Sequence, residues 1–319
     1  MAPELAPAGA APAAPAPRRP RGGERGPAAD RTRGRRVGLL LTAPAALVMA
    51  ATVAYPLVWV LQISVTSSAT AVTGGHFVGL ENYGAVLRSG SFRDALWHTV
   101  VFVVLTVTIE VVLSVLLATV LAKRLAGHRI FVGIFALPLM MAPIVSGFMW
   151  RWLFADQYGL VNYLLSLVGV DGPLWGGSPF WARLSILVAN LWTALPFGIL
   201  VLFAGMAGIP EELDEAAQLD GAGPWQRFRH VTLPLLRPAI LLVLVVRIAD
   251  AFRVYDVVYI LTGGGPAGST NVLNTYIFKR SFSDFQFGQG AAAAVLVMVL
   301  SAVISVAAFR VLRPKEDAQ

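Results

Sequence analysis

The chain has 319 residues, of which 56% are hydrophobic and only 13% charged, with a formal charge of +7 and no cysteine. That composition is too apolar for an ordinary soluble domain and places the chain in a membrane. The absence of thiols excludes disulfides and thiolate metal sites. The basic residues gather in an N-terminal tail and at helix ends, so the positive charge reads as membrane orientation and not as a nucleic-acid surface.

In chain order, residues 1–36 come first. The run "APAGAAPAAPAPRRPRGGERG" has almost nothing to bury and many prolines, which predicts a disordered tail. Val37 to Val65 follows as an apolar run of 29 residues. That is too long for a secretory signal core of roughly 7–15 residues, and "RGRRVGLL" matches a twin-arginine signal only loosely. The run therefore reads as a retained membrane helix.

Crossing the hydrocarbon takes about 20 helical residues. Five further runs are long enough: Thr99 to Leu121, Ile130 to Phe154, Leu184 to Met206, Ala239 to Leu261 and Ala291 to Leu312. The expectation is an all-α polytopic membrane protein with six spans over 37–312 and a short C-terminal tail over 313–319. With both termini on one side, 17 Lys and Arg fall on that side and six on the other, while Arg247 and Arg253 lie inside the fifth span. The positive-inside rule then puts both tails and the loop 208–238 in the cytoplasm. The glycine runs "GGERG" and "GGGP" lack the lysine and the strand-to-helix setting of a phosphate-binding loop, so no ATP hydrolysis is expected from this chain.

The cytoplasmic loop "GIPEELDEAAQLDGAGPWQRF" is built like a capped helix. Pro210 suits a first turn, and Glu211, Glu212, Asp214 and Glu215 suit the positive end of a helix dipole. Gly221 and Pro224 end the helix, and Leu213, Ala216, Ala217 and Asp220 share one face. On physical grounds alone an ordinary surface helix fits equally well.

The spacing Glu215, Ala216, Ala217, Asp220, Gly221, Ala222, Phe228, Pro234 and Pro238 resembles the EAA loop of the membrane subunits of binding-protein-dependent ABC importers. The resemblance implies the type I importer permease fold and a coupling helix seated in a groove of a separate ATPase. Ala216, Ala217 and Ala222 would allow close approach, Glu215 and Asp220 would supply charge, and Gly221 would permit the reversal. It further implies a heterodimer with a second permease, two ATPase subunits, an extracytoplasmic solute-binding protein and a bacterial plasma-membrane location. ATP and magnesium would sit on the partners, and this chain would hold no cofactor.

Two outer segments narrow the branch. "AFRVYDVVYILTGGGPAGSTNVLNTYIFKRSF" at 251–282 and "WRWLFADQYGLVNYLL" at 150–165 resemble the carbohydrate importers, specifically the first of their two permeases. The resemblance implies a sugar pathway lined by Asn190, Thr193, Ala194, Phe197, Arg247 and Ala251. Of these, only Asn190 matches the maltose importer's own residue, so the sugar itself does not transfer, and glycerol-phosphate or another polyol stays open.

Charged residues within spans are costly and usually face a cavity or a partner. Arg247, Asp250, Arg253 and Asp256 recur every three residues and so read as helical neighbours. Ion pairing and a substrate role are both open for Arg253 and Asp256, while Arg247 is expected to face a cavity roughly 15 Å above Arg237. Glu110 and Trp192 read as interhelical packing. His76, His98, His128 and His230 have no ligand spacing, so no metal is expected. A self-sufficient secondary transporter would need an internal repeat and proton-relay residues that the sequence lacks. A membrane enzyme would need clustered histidines, paired carboxylates or an activated nucleophile, and none is present.

Overall fold

A computed structural model of the protein describes residues 27–67, 75–122 and 128–312. Most of the expected N-terminal tail, the C-terminal tail and Lys123 and Arg124 lie outside these residues. The first helix, α1 (Pro27–Ser64), begins ten residues inside the stretch read as tail. Pro27 occupies a first turn, where its missing N–H costs nothing. By its contacts the chain divides at Pro56 into two units, the second running from Leu57 to the end; the remaining helices belong to this second unit.

Among the described residues the structure is helical, with one isolated bridge between Thr66 and Phe77. A short helix, α2 (Glu81–Arg88), leads into α3 (Gly90–Ala122), a 33-residue helix with a single carboxylate beyond its second turn, Glu110. Next come α4 (His128–Ala136), a 3-10 turn over Leu137–Met140, and α5 (Pro143–Leu153). The third expected span, Ile130 to Phe154, is therefore not one helix: its two halves meet at 107°. Pro138 and Pro143 cannot donate to a continuous ladder, which explains the break.

After α6 (Leu160–Leu167), α7 (Pro179–Ala207) crosses as a 29-residue helix capped by the Ser178 hydroxyl. It packs along α3 around Val115, Ala118, Leu202 and Met206. The approach is close because Gly198 has no side chain; a Cβ there would stand 2.3 Å from the Ser114 hydroxyl oxygen. Small residues at such crossings are what bring membrane helices together.

The surface helix α8 (Glu211–Leu219), α9 (Pro224–Arg227), a π turn over Phe228–Thr232 and α10 (Leu233–Leu235) lead into α11 (Arg237–Ala251), entered through a 64° bend. Here the expected fifth span, Ala239 to Leu261, also breaks. α11 stops at Ala251, residues 252–255 are unwound, and α12 (Asp256–Thr262) starts afresh. The unwound carbonyls of Phe252 and Val254 are not orphaned, because the Asn274 amide donates to both, at 3.1 and 3.2 Å. Irregular backbone at membrane depth persists only when such partners exist. α12 in turn lies against α5, with Ile260 packed on Gly147.

The chain closes with α13 (Leu273–Phe278), a π turn over Lys279–Ser283 and α14 (Phe287–Leu312). Leu273 and Tyr276 pack with Val86, Phe92, Ala95 and Ala292, and the Thr99 hydroxyl of α3 accepts the Leu273 N–H at 2.9 Å. Among the described residues four helices, over Leu41–Ser64, Gly90–Ala122, Pro179–Ala207 and Phe287–Arg310, are long and apolar enough to cross a membrane, and the count reaches six if each bent pair is one span.

Candidate functional site

The unwinding between α11 and α12 opens a cavity of about 320 Å³ against α7 and the 3-10 turn before α5. Its size falls at the low end of ligand pockets, which run to roughly 1,000 Å³. Asn190, Thr193 and Ala194 line it from α7 and Arg247 and Ala251 from α11, joined by Asp250, Arg253, Tyr255 and Asp256. Five of the six positions expected on the pathway thus meet in one cavity. Phe197, on the same face about one turn further along α7, is not among the lining residues and packs against the cluster that holds Leu202 and Val243.

The polar groups fall into two sets. Thr193 pairs its hydroxyl with Ser146 at 3.0 Å and donates to the Ala189 carbonyl, while the Asn190 side-chain oxygen is buried with no hydrogen-bond partner among the described residues. The residue borders the cavity, so a rotation of its amide would offer that acceptor to a hydroxyl donor. The second set is a chain of charges. Arg247 Nε lies 2.8 and 2.9 Å from the two oxygens of Glu110, and its Nη1 donates to Asp250, whose other oxygen takes Arg253 at 3.1 Å.

Two sequence readings need correction here. Glu110 is not simple packing: it is fully buried and forms the counter-charge of a nearly buried Arg247. A lone carboxylate in the apolar run Thr99 to Leu121 was the available signal, and what concealed its partner was a separation of 137 residues. Arg253 and Asp256 are not neighbours on one helix either, because α11 ends at Ala251, Arg253 lies in the unwound segment and Asp256 begins the next helix. Arg253 turns back to Asp250, and Asp256 opens α12, where a carboxylate faces the helix N-terminus. Trp192 packs as expected, edge-on to Trp150 at 6.0 Å.

A wider recess of about 630 Å³ is walled by Arg151, Trp152, Phe154, Asp156, Trp175 and Thr262, with Phe154 and Trp175 in contact at 4.4 Å. Most of its residues come from the two outer segments singled out in the sequence, joined by Trp175 from the loop between α6 and α7. Beside it the glycine loop is pinned by threonines: Thr270 pairs with Thr262 at 2.7 Å and donates to the Gly265 carbonyl.

The second site is α8 and its exit. Gly221 takes φ +81° immediately after the Asp220 cap. Gly221 N–H bonds to Gln218 O at 3.0 Å and Ala222 N–H to Ala217 O at 2.9 Å, the paired bonds of a Schellman motif. Asp214 joins Arg227 of α9 at 2.6 Å and receives the Gln218 amide at 2.9 Å. Ala217, Asp220, Gly221 and Ala222 border a recess of about 400 Å³ between α8 and α9, whereas Glu215 and Ala216 face outward. Leu219 and Trp225 project as exposed apolar side chains, 90% and 68% accessible. Among the described residues no group of three or more His, Asp or Glu is placed to hold a metal ion.

A set of apolar helices with charged and polar groups around a cavity, an unwound segment at its wall and a surface helix without buried residues defines a membrane transport subunit. The chain belongs to the family of binding-protein-dependent transport system inner membrane components, whose pattern matches residues 71–317. As a member it is a non-catalytic component of such a system. It is 34% identical over 282 residues to the trehalose/maltose transport system permease protein MalF of Thermococcus litoralis, covering 88% of this chain and 95% of that one. It is 35% identical over 291 residues to the sulfoquinovosyl glycerol transport system permease protein SmoG of Agrobacterium fabrum, covering 88% and 92%. In fold it is similar to a solved bacterial ABC transporter involved in alginate import, with a TM-score of 0.78 at 22% identity over 91% of this chain and 99% of that one.

Proposed function

We propose that this chain is the first of two permeases of a carbohydrate ABC importer and forms one wall of the path a sugar follows across the plasma membrane. The single observation that carries the reading is the cavity at the α11–α12 break. It offers Asn190, Thr193 and two compensated arginines in a space of about 320 Å³. Sugar recognition needs donors and acceptors at fixed angles, and such groups inside hydrocarbon persist when they serve a passage. The names of the relatives, trehalose and maltose for one and the sulfonated glycoside sulfoquinovosyl glycerol for the other, support a carbohydrate as cargo, neutral in the first case and charged in the second.

The partners follow from what this chain lacks and what α8 presents. Without a phosphate-binding loop of its own, it depends on two ATPase subunits, which hold the ATP and magnesium. α8, with Glu215, Ala216 and Ala217, is the piece that seats in an ATPase groove. Its Schellman ending and the Asp214–Arg227 pair join it stiffly to the segment entering α11, so closure of the ATPases is transmitted to the cavity wall. A second permease completes the passage and an extracytoplasmic binding protein delivers the sugar. Both termini and α8 face the cytoplasm, in line with the distribution of Lys and Arg.

The test is ATPase activity of the assembled importer in liposomes. The native complex should hydrolyse ATP when a sugar-loaded binding protein is added. The double variant Glu215→Lys, Gly221→Pro should keep its membrane helices yet lose the ATPase subunits. Transport by this chain alone, or an unaffected double variant, would sink the reading.

A further inference from the structure

Arg247 invites an anion: a guanidinium on a cavity wall inside a membrane helix is a natural seat for a phosphate or carboxylate. Its surroundings argue the opposite. Glu110 approaches from α3, is fully buried and does not line the cavity, so it holds the guanidinium from outside the space a cargo would occupy. Asp250 takes a second arm. The cavity lining carries two cations, Arg247 and Arg253, and two carboxylates, Asp250 and Asp256. With Glu110 included, the site has one negative charge in excess.

We propose that Glu110 is a specificity-determining positioning residue which, by neutralising Arg247 from outside the lining, makes the cavity a site for uncharged polyhydroxyl cargo and turns away phosphorylated, sulfonated or carboxylated analogues. This rests on the reading of that cavity as the sugar path. Packing alone does not require the pair, since two apolar side chains fill such a space at no desolvation cost. The pair instead fixes Arg247 as an oriented donor without leaving it a free positive charge. An uncharged sugar hydroxyl can donate to a carboxylate or, once the amide rotates toward the cavity, to Asn190 Oδ1, and accept from the arginines. An anionic group would have to compete with Glu110 and Asp250 for the same guanidinium, in a medium where like charges repel strongly.

The experiment uses the complex of this chain with its second permease and ATPase subunits in nanodiscs, without the binding protein, so that selection upstream does not enter. Thermal protection and titration calorimetry are recorded with trehalose and maltose beside their 6-phosphates. The native complex should favour each neutral sugar. Glu110→Gln should narrow that preference about tenfold by releasing a charge-assisted contact of Arg247. The charge-balanced double variant Glu110→Gln, Arg247→Gln should restore it, a rescue that a merely structural role would not produce. Should Glu110→Gln fail to assemble, Asp250→Asn relieves the same guanidinium at a half-exposed position and should narrow the preference in the same direction. Equal binding of neutral and phosphorylated sugars by the native complex overturns the inference while leaving the sugar path standing. So does an unchanged preference in an assembled variant. Binding of neither kind overturns the sugar path itself.

Discussion

Arg247 on α11 and Glu110 on α3 meet at 2.8 Å, with the carboxylate fully buried and the guanidinium 9% exposed. Removing Glu110 leaves Arg247 held only by the half-exposed Asp250, a loss approaching the roughly 3–5 kcal/mol of a broken buried pair, whereas removing both is far milder. Glu110→Ala should therefore sharply reduce the folded protein recovered from membranes, and Glu110→Ala with Arg247→Met should recover most of it. Size-exclusion yield and thermal aggregation of the four proteins of the cycle would check this. Equal losses in the single and double variants would remove the pair from the account.

Gly221 sits at φ +81° with nothing within 4 Å of where a Cβ would be. Space is therefore free and only the backbone objects. A β-branched residue should cost about 1–2 kcal/mol of the local structure. Asparagine, which tolerates this conformation, should cost little. Gly221→Val should lower the ATPase subunit that co-purifies with the permeases and Gly221→Asn should keep it. If both behave alike, the turn does not govern docking.

The Asp214–Arg227 pair ties α8 to α9 at 2.6 Å but is partly open to solvent, 47% on the carboxylate side. Its worth to stability should stay below about 1 kcal/mol and fall with salt. Its effect on coupling should be larger, because it sets the angle between the projecting helix and α11. Arg227→Asp alone should weaken sugar-stimulated ATP hydrolysis, and the reversal Asp214→Arg, Arg227→Asp should restore it at low salt. A reversal as impaired as the single change would show that each residue acts separately.

Asn274 carries the unwound segment between α11 and α12 by donating to Phe252 and Val254 carbonyls. Asn274→Leu leaves two acceptors with no donor inside the bundle, at roughly 1–3 kcal/mol each. Limited proteolysis should cut the 252–255 region faster in that variant, while Asn274→Gln keeps an amide and should lie between. Unchanged protease resistance in Asn274→Leu would mean water already serves those carbonyls.

Much of this molecule is set by its order of residues. The apolar runs of α1, α3, α7 and α14 announce membrane helices because each satisfies its own backbone within one segment. The α8 helix and its glycine turn were equally readable, since caps and left-handed turns are local, short-range events. Tertiary structure decided the rest. The runs Ile130 to Phe154 and Ala239 to Leu261 look like single spans in composition. The second breaks at 252–255 because Asn274, twenty residues away, can satisfy what the unwinding exposes. Five of the six expected pathway positions meet in one cavity, while the sixth, Phe197, packs a turn away against the α3–α7 cluster, a placement set only when the helices come together. Glu110 was visible only as an isolated carboxylate. Its pairing with Arg247 spans 137 residues and exists because α11 packs against α3 once the bundle has formed. Periodicity and composition act along the chain, whereas the charge balance of a cavity is a sum over helices that meet only once the bundle has formed.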